Sequence, residues 1–319
     1  MDRNLALEFV RVTEAAAIAA AGFIGRGDGK AADGAAVDEM RDRFNYIDFR
    51  GVVVIGEGAK DEAPELYINE VVGTGNGPEI DIAVDPLECT DSVANGRPNA
   101  ISVIATGIKG SLFHAPDMYM NKIACGPAGK DVIDLDATVA DNITRVAARL
   151  KKPVRDMMIV VLDRPRHEQL IKDIRAVDAR VRLISDGDVA AAIAPSLPDS
   201  GIDMLMGVGA SAEAVLAAAA IKCLGGGFQV RLAPKNDKQK QTLANMGITD
   251  IDGKLLLDDL AKGEDLTFTA TGVIDGPLLQ GVRYTDKYCI THSVVMRVKT
   301  KTIRFLETYH RFDSHSTIH

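Results

Sequence analysis

Apolar residues recur at helical spacing from residue 5 to residue 23, and the run stops near Gly25. A loop over residues 27–30 leads to a second predicted helix at 35–44. A short apolar strand at 51–55 ends in the turn Gly56-Glu57-Gly58. Alternating apolar positions predict further strands at 80–84, 100–106 and 111–114, without regular helical crossovers between them. The second half alternates strictly: strands at 157–162, 181–184, 202–206 and 228–232, with helices at 167–177, 189–194 and 212–224. That order predicts parallel βαβ units. The tail returns to strands at 267–270, 289–298 and 302–309, and residues 137–153 read as a junction. The pattern therefore predicts an α/β protein with a mixed α+β first half, divided into domains at 1–152 and 153–319.

Composition narrows the function. The 319 residues carry a net charge of −8, and no basic run or basic stripe with interleaved aromatics suggests nucleic-acid binding. Cys89, Cys125, Cys223 and Cys289 are scattered without CxxC spacing, which argues against a structural zinc site and fits a reducing compartment. The Ala-rich stretch 15–21 lies between Glu14 and Arg26 and reads as a packed helix. With no charged-then-apolar leader and no apolar run of membrane-spanning length, the expectation is a soluble cytoplasmic protein without membrane partners.

Asp85-Pro86-Leu87-Glu88-Cys89-Thr90 concentrates the candidate chemistry. Pro86 has no N–H for a ladder, so it is expected to end the strand that precedes it. Asp85 and Glu88 then offer two carboxylates of the kind hard divalent cations prefer, and Thr90 marks a helix start. Carboxylates beside free helix N–H groups suit metal-assisted phosphate ester hydrolysis. An ordinary capped helix after a strand-end Asp is the plain alternative. Asp33 and Glu57 add acidic groups in glycine-rich or turn contexts, where an Asp commonly just caps a turn. Arg164 and Arg166 follow a predicted strand and suit bidentate phosphate binding. Gly207-Val208-Gly209-Ala210-Ser211-Ala212 matches a GxGxxA dinucleotide fingerprint, but the next strand ends in Arg231, which suits only a 2′-phosphate.

From Leu5 to about Thr308 the chain resembles class II fructose-1,6-bisphosphatase, including the cyanobacterial type that also takes sedoheptulose-1,7-bisphosphate. The resemblance rests on Arg11-Val12-Thr13-Glu14, Gly25-Arg26-Gly27-Asp28, Ala31-Ala32-Asp33-Gly34-Ala35-Ala36-Val37 and Val54-Ile55-Gly56-Glu57-Gly58. It continues through Asp61-Glu62-Ala63-Pro64, the hexapeptide and Ala115-Pro116-Asp117-Met118-Tyr119-Met120. Arg164-Pro165-Arg166-His167 and Ile184-Ser185-Asp186-Gly187-Asp188-Val189-Ala190 complete it.

The resemblance implies a layered α-β-α-β-α sandwich of the lithium-sensitive sugar phosphatase type. It makes residues 1–152 the metal-binding phosphatase domain and 153–319 the sugar-phosphate domain. It implies hydrolysis of the C1 phosphate of a sugar bisphosphate, in gluconeogenesis or the Calvin cycle, by a homodimer or homotetramer. One metal falls to Asp33 and Glu57, another to Asp85, Glu88 and Glu213, and the all-carboxylate set suits Mn²⁺ or Mg²⁺. Thr90, paired with Asp61 or Asp33, would handle the attacking water. Substrate contacts fall on Glu88, Cys89, Thr90, Tyr119, Arg164, Pro165, Arg166, Asp186, Gly187, Asp188 and Ala210.

Four positions depart from the family. Cys89 stands where a Gly is usual, and Ala59 replaces the last Glu of G-E-G-E. R-G-D-K becomes Arg26-Gly27-Asp28-Gly29-Lys30, and G-A-P-E-G becomes Ala210-Ser211-Ala212-Glu213-Ala214. Cys89 is expected to adopt a glycine-type backbone, crowd the phosphate and be oxidisable. Two alternatives remain at this point: a catalytically weak sugar-phosphate-binding protein, and an NADP-dependent oxidoreductase using Gly207-Val208-Gly209.

Overall fold

A computed structural model describes residues 5–56 and 66–311. The first elements are helices α1 (Leu5–Ala21) and α2 (Gly29–Phe44), then strands β1 (Arg50–Ile55), β2 (Val71–Val72) and β3 (Glu79–Glu88). Helix α3 (Thr90–Asn95) and strands β4 (Ile101–Ile108) and β5 (Tyr119–Cys125) follow. Next come α4 (Val139–Leu150), β6 (Met158–Leu162), α5 (Glu168–Ala176), β7 (Arg180–Ile184), α6 (Val189–Ile193), β8 (Met204–Ala210), α7 (Ser211–Leu224) and β9 (Gly227–Ala233). The chain ends with α8 (Asp237–Asn245), β10 (Leu255–Leu256), α9 (Leu257–Leu260), β11 (Thr267–Gly272), β12 (Arg283–Tyr284), β13 (Tyr288–Arg297) and β14 (Thr302–Arg311).

These elements form two compact units, one running to Lys109 and resuming at Asp265, the other spanning Gly110–Glu264. The division differs from the expected boundary at 152/153: β5 and α4 belong to the second unit, and the C-terminal strands β11, β13 and β14 join the sheet of the first. The supposed junction at 137–153 contains α4, capped by Thr138, whose hydroxyl accepts from the Asp141 N–H.

In the first unit the sheet order is β12-β13-β11-β4-β3-β1-β2, with β14 on β13. One sheet face packs against α1 and α2 through Ile80, Ile82, Val84, Val53 and Ile104. Phe9, Phe44 and Phe49 meet there edge-to-face, with centroids 5.5–6.2 Å apart. Two expectations change. β3 continues through Pro86, because its pairing with β4 slips between Asp85 and Glu88 and the missing N–H falls in that irregularity. Helix α2 begins at Gly29, where the Asp28 carboxylate accepts from the Ala31 N–H, so Asp33 sits inside a helix rather than in a turn.

In the second unit the sheet order is β10-β9-β5-β8-β6-β7. β6 runs parallel to β7 and β8, but β5 is antiparallel to both β8 and β9 and separates them. The parallel βαβ expectation therefore holds for three strands and is interrupted by β5, a strand absent from the sequence reading. The expected strand at 111–114 reduces to one bridge, Leu112 with Ala261. Ile123, Ile159, Val161, Met204 and Met206 share a core with Ile143 and Val146 of α4 and Ile174 of α5. Alternate residues point to the other face, where Lys122 meets Asp188 at the start of α6.

Candidate active site

In the first unit, the turn from β3 into α3 folds around the Leu87 peptide. Asp85 Oδ1 accepts from the Leu87 N–H at 3.1 Å, and the Thr90 hydroxyl donates to the Leu87 carbonyl at 3.0 Å. Glu88 is buried beside them. Thr90 is the first helical residue, and the cap position belongs to Cys89, which has φ 73° and ψ 49° and makes no side-chain capping bond. The expected glycine-type backbone at Cys89 is therefore present. Its thiol is not turned towards an open site: the residue is 4 % exposed within the apolar core, and Asn99 Nδ2 donates to the sulfur at 3.9 Å. Burial removes the basis for expecting a crowded, readily oxidised thiol.

Helix α2 meets the same turn. A Cβ at Gly29 would lie 3.1 Å from Thr90 Cγ2, so this departure from the family lets α2 lie close against α3. One helical turn later, Asp33 projects from the same side, and burial pushes its carboxyl above the ordinary range. Glu57, Ala59 and Asp61 lie outside the described residues.

In the second unit, the candidate residues gather at the carboxyl ends of β6, β7, β8 and β9, together with the start of β5. Ligands bind at such strand ends in open α/β sheets. Arg164 donates to the Ser185 carbonyl at 2.5 Å and pairs with Asp186 at 3.4 Å, holding the 186–188 turn. Arg166 donates through Nε and Nη2 to the Val208 carbonyl at 3.1 and 2.8 Å, and its guanidinium lies 4.6 Å from the Tyr119 ring centroid. Pro165 opens the short 3₁₀ turn that carries Arg166. Lys235, just past β9, places Nζ 3.9 Å from the same Tyr119 ring. Tyr119 itself pairs in register with Ala210 on β8 and Ala233 on β9.

Beneath this surface lies a buried ion pair. Lys122 Nζ donates to both Asp188 oxygens at 2.8 and 2.9 Å, with the two side chains 1 % and 5 % exposed. Glu213, in the first turn of α7, has one carboxylate oxygen buried without a hydrogen-bond partner. Burial pushes its carboxyl up, Lys122 opposes the rise, and Asp188 and Asp117 add to it. The start of α7 is pinned by the Ser211 hydroxyl, which donates to the Pro116 carbonyl at 2.6 Å. His167 ties β6 to β8: its Nε2 accepts from the Val208 N–H at 2.8 Å, so Nδ1 carries the proton that goes to the Leu162 carbonyl at 2.7 Å. Burial lowers the pKa of this imidazole and keeps it neutral.

Sequence reasoning missed Lys122, Lys235 and the structural use of His167. Lys122 stands beside the apolar residues Ile123-Ala124-Cys125 in the strand Tyr119–Cys125, and a charge next to such a run is the signal that could have pointed to it.

Gly207 and Gly209 are strand residues of β8, not a phosphate-binding turn. A Cβ at Gly207 would reach His167 Nε2 at 3.0 Å, and one at Gly209 would overlap Asp188 Oδ2. These glycines make room for His167 and for the Lys122–Asp188 pair. Arg231 is occupied by Asp136 and the Asp252 carbonyl. The dinucleotide reading is overturned.

Among the described residues, no three His, Cys, Asp or Glu side chains come together as a ready-made metal cage. Individual carboxylates do suit a cation. The orphaned oxygen of Glu213 and the raised pKa values of Glu213 and the half-buried Asp33 belong to carboxylates that a positive charge would relieve. The donor set is all oxygen, as hard divalent ions require. No described helix is long and apolar enough to cross a membrane.

Residues 3–310 match the family model described as bacterial fructose-1,6-bisphosphatase, glpX-encoded. Fructose-1,6-bisphosphatase 1 class 2 of Escherichia coli K12 is 44 % identical over 325 residues, covering 98 % of this chain and 97 % of that protein. The class 2 enzyme of Shigella flexneri shows the same identity and coverage. A solved extragenic suppressor from Pyrococcus furiosus is 16 % identical over 59 % of this chain and 68 % of its own, with a TM-score of 0.30, too low to bear on the fold. Both the family match and the 44 % identity run nearly end to end, so the chain belongs to the bacterial, glpX-encoded class II fructose-1,6-bisphosphatase family.

Proposed function

We propose that this protein is a metal-dependent phosphatase that releases the C1 phosphate of fructose-1,6-bisphosphate, and of sedoheptulose-1,7-bisphosphate by the same chemistry. The reading is carried by the near full-length family match. The arrangement of groups at the strand ends supports it.

The carboxylates Asp33, Glu57, Asp85, Glu88 and Glu213 would hold Mn²⁺ or Mg²⁺. Such ions, when bound, lower the pKa of water and neutralise a leaving alkoxide. Each residue on the chain then has a separate task. The hydrogen of the Thr90 hydroxyl is engaged by the Leu87 carbonyl, which leaves its oxygen free to accept from, and so orient, an attacking water. Asp61 would take the proton from that water. Asp186, Gly187 and Asp188 would receive sugar hydroxyls, Tyr119, Pro165 and Ala210 would line the sugar phosphate, and Arg166 would hold the phosphate that is not cleaved. Glu88 and Cys89 complete the turn around the cleaved one. The assembled form would be a homodimer or homotetramer working in the cytoplasm.

Phosphate release with Mn²⁺ or Mg²⁺ tests this reading. Asp85→Ala should lower turnover by about 10³-fold or more. Full activity in excess EDTA would sink the metal assignment.

A further inference from the structure

We propose that Lys235 is a second cationic ligand of the uncleaved phosphate, sharing it with Arg166 across Tyr119. This rests on the phosphate reading of Arg166 given above.

The two arginines of the Arg-Pro-Arg segment are in different electrostatic states. Arg164 is compensated: it pairs with Asp186 and donates to the Ser185 carbonyl. Arg166 bonds only a neutral carbonyl, that of Val208, and forms no ion pair among the described residues. Lys235 likewise has no carboxylate partner among the described residues. Its backbone N–H is held by Gln239 Oε1 at 2.7 Å, which fixes the stem of the side chain beside α8.

Two uncompensated cations thus converge on one aromatic ring, Arg166 at 4.6 Å and Lys235 at 3.9 Å from its centroid. Like charges so placed repel, and ring attraction offsets little of this at an exposed site. A dianion bridging them removes the repulsion. The cations nearest to them differ: Arg164 is paired with Asp186, and Lys122 beneath the strand ends is paired with Asp188. Arg166 supplies a fixed planar fork and Lys235 a mobile point charge, a combination suited to a tetrahedral phosphate.

The test is calorimetric binding of fructose 6-phosphate, which carries the uncleaved phosphate, to the full chain and its variants, alongside steady-state kinetics. Lys235→Met should weaken fructose 6-phosphate binding by about tenfold or more, as for loss of one charge-assisted bond. KM for the bisphosphate should rise similarly, with kcat within about twofold and the melting temperature unchanged. Lys235→Arg should restore most of the affinity. If Arg166→Ala weakens binding and Lys235→Met does not, the Lys235 assignment is wrong while the phosphate reading stands. If neither variant weakens binding, the phosphate reading falls and the Lys235 assignment falls with it.

Discussion

Replacing Lys122 by Met removes the ammonium that donates to both oxygens of the buried Asp188 carboxylate while keeping the volume of the side chain. Both Lys122–Asp188 contacts are short, 2.8 and 2.9 Å, and neither side chain exceeds 5 % exposure. Breaking such a pair by deleting one partner costs about 3–5 kcal/mol, because a charge is left buried alone. At 1.36 kcal/mol per decade, that is about 10²- to 10⁴-fold in the local opening equilibrium. Lys122→Met with Asp188→Asn should recover most of the loss, since Asp188 then carries no charge to be left buried without its partner. Hydrogen exchange of β5 and β8 amides reads the effect within the second unit, in a chain that contains no Trp. Wild-type protection in Lys122→Met, or a double variant as weak as the single one, would refute this account of the pair.

Cys89→Gly should change the urea midpoint little, because relief of the φ 73° backbone, about 1 kcal/mol, is offset by lost burial and by added freedom of the unfolded chain. Cys89→Val should lose about 2 kcal/mol or more, and a wild-type midpoint for it would mean that the left-handed geometry is not occupied in solution. Thr90→Ala should lower kcat strongly with KM nearly constant in steady-state kinetics, whereas an unchanged kcat would reduce Thr90 to a local turn former. His167→Phe leaves the Val208 N–H and the Leu162 carbonyl unpaired and should cost about 2–4 kcal/mol by denaturation. His167 has a depressed folded-state pKa, so its contribution is fully present above its ordinary value near 6.5 and is lost as pH falls below it. The variant should lack that portion of the acid sensitivity, and identical pH profiles would contradict the neutral assignment.

Much of the architecture was legible where side chains obey one period. Helix α1, the strands of the second half and the C-terminal strand pair follow directly from apolar spacing. The failures share a physical cause: the local pattern was broken by a tertiary demand. β5 was missed because Lys122 stands at a core position, where its charge is met by Asp188 from a distant segment. Gly207 and Gly209 read as a turn, but they are glycines so that a strand can pass His167 and Asp188. The start of α2 was hidden by Gly29, whose missing side chain admits Thr90. The ordered motifs carried the family, and the conformation of Cys89 followed from glycine's usual place there. The burial of its sulfur did not follow, because Asn99 and the surrounding core come from distant sequence.

Phosphorus NMR of the protein turning over fructose-1,6-bisphosphate with Mn²⁺ or Mg²⁺ tests the central claim most directly. The account predicts loss of the C1 phosphate signal, appearance of inorganic phosphate and fructose 6-phosphate in equal amounts, and arrest on adding EDTA. Fructose 1-phosphate as the product, or a bisphosphate left intact with either metal, would contradict it.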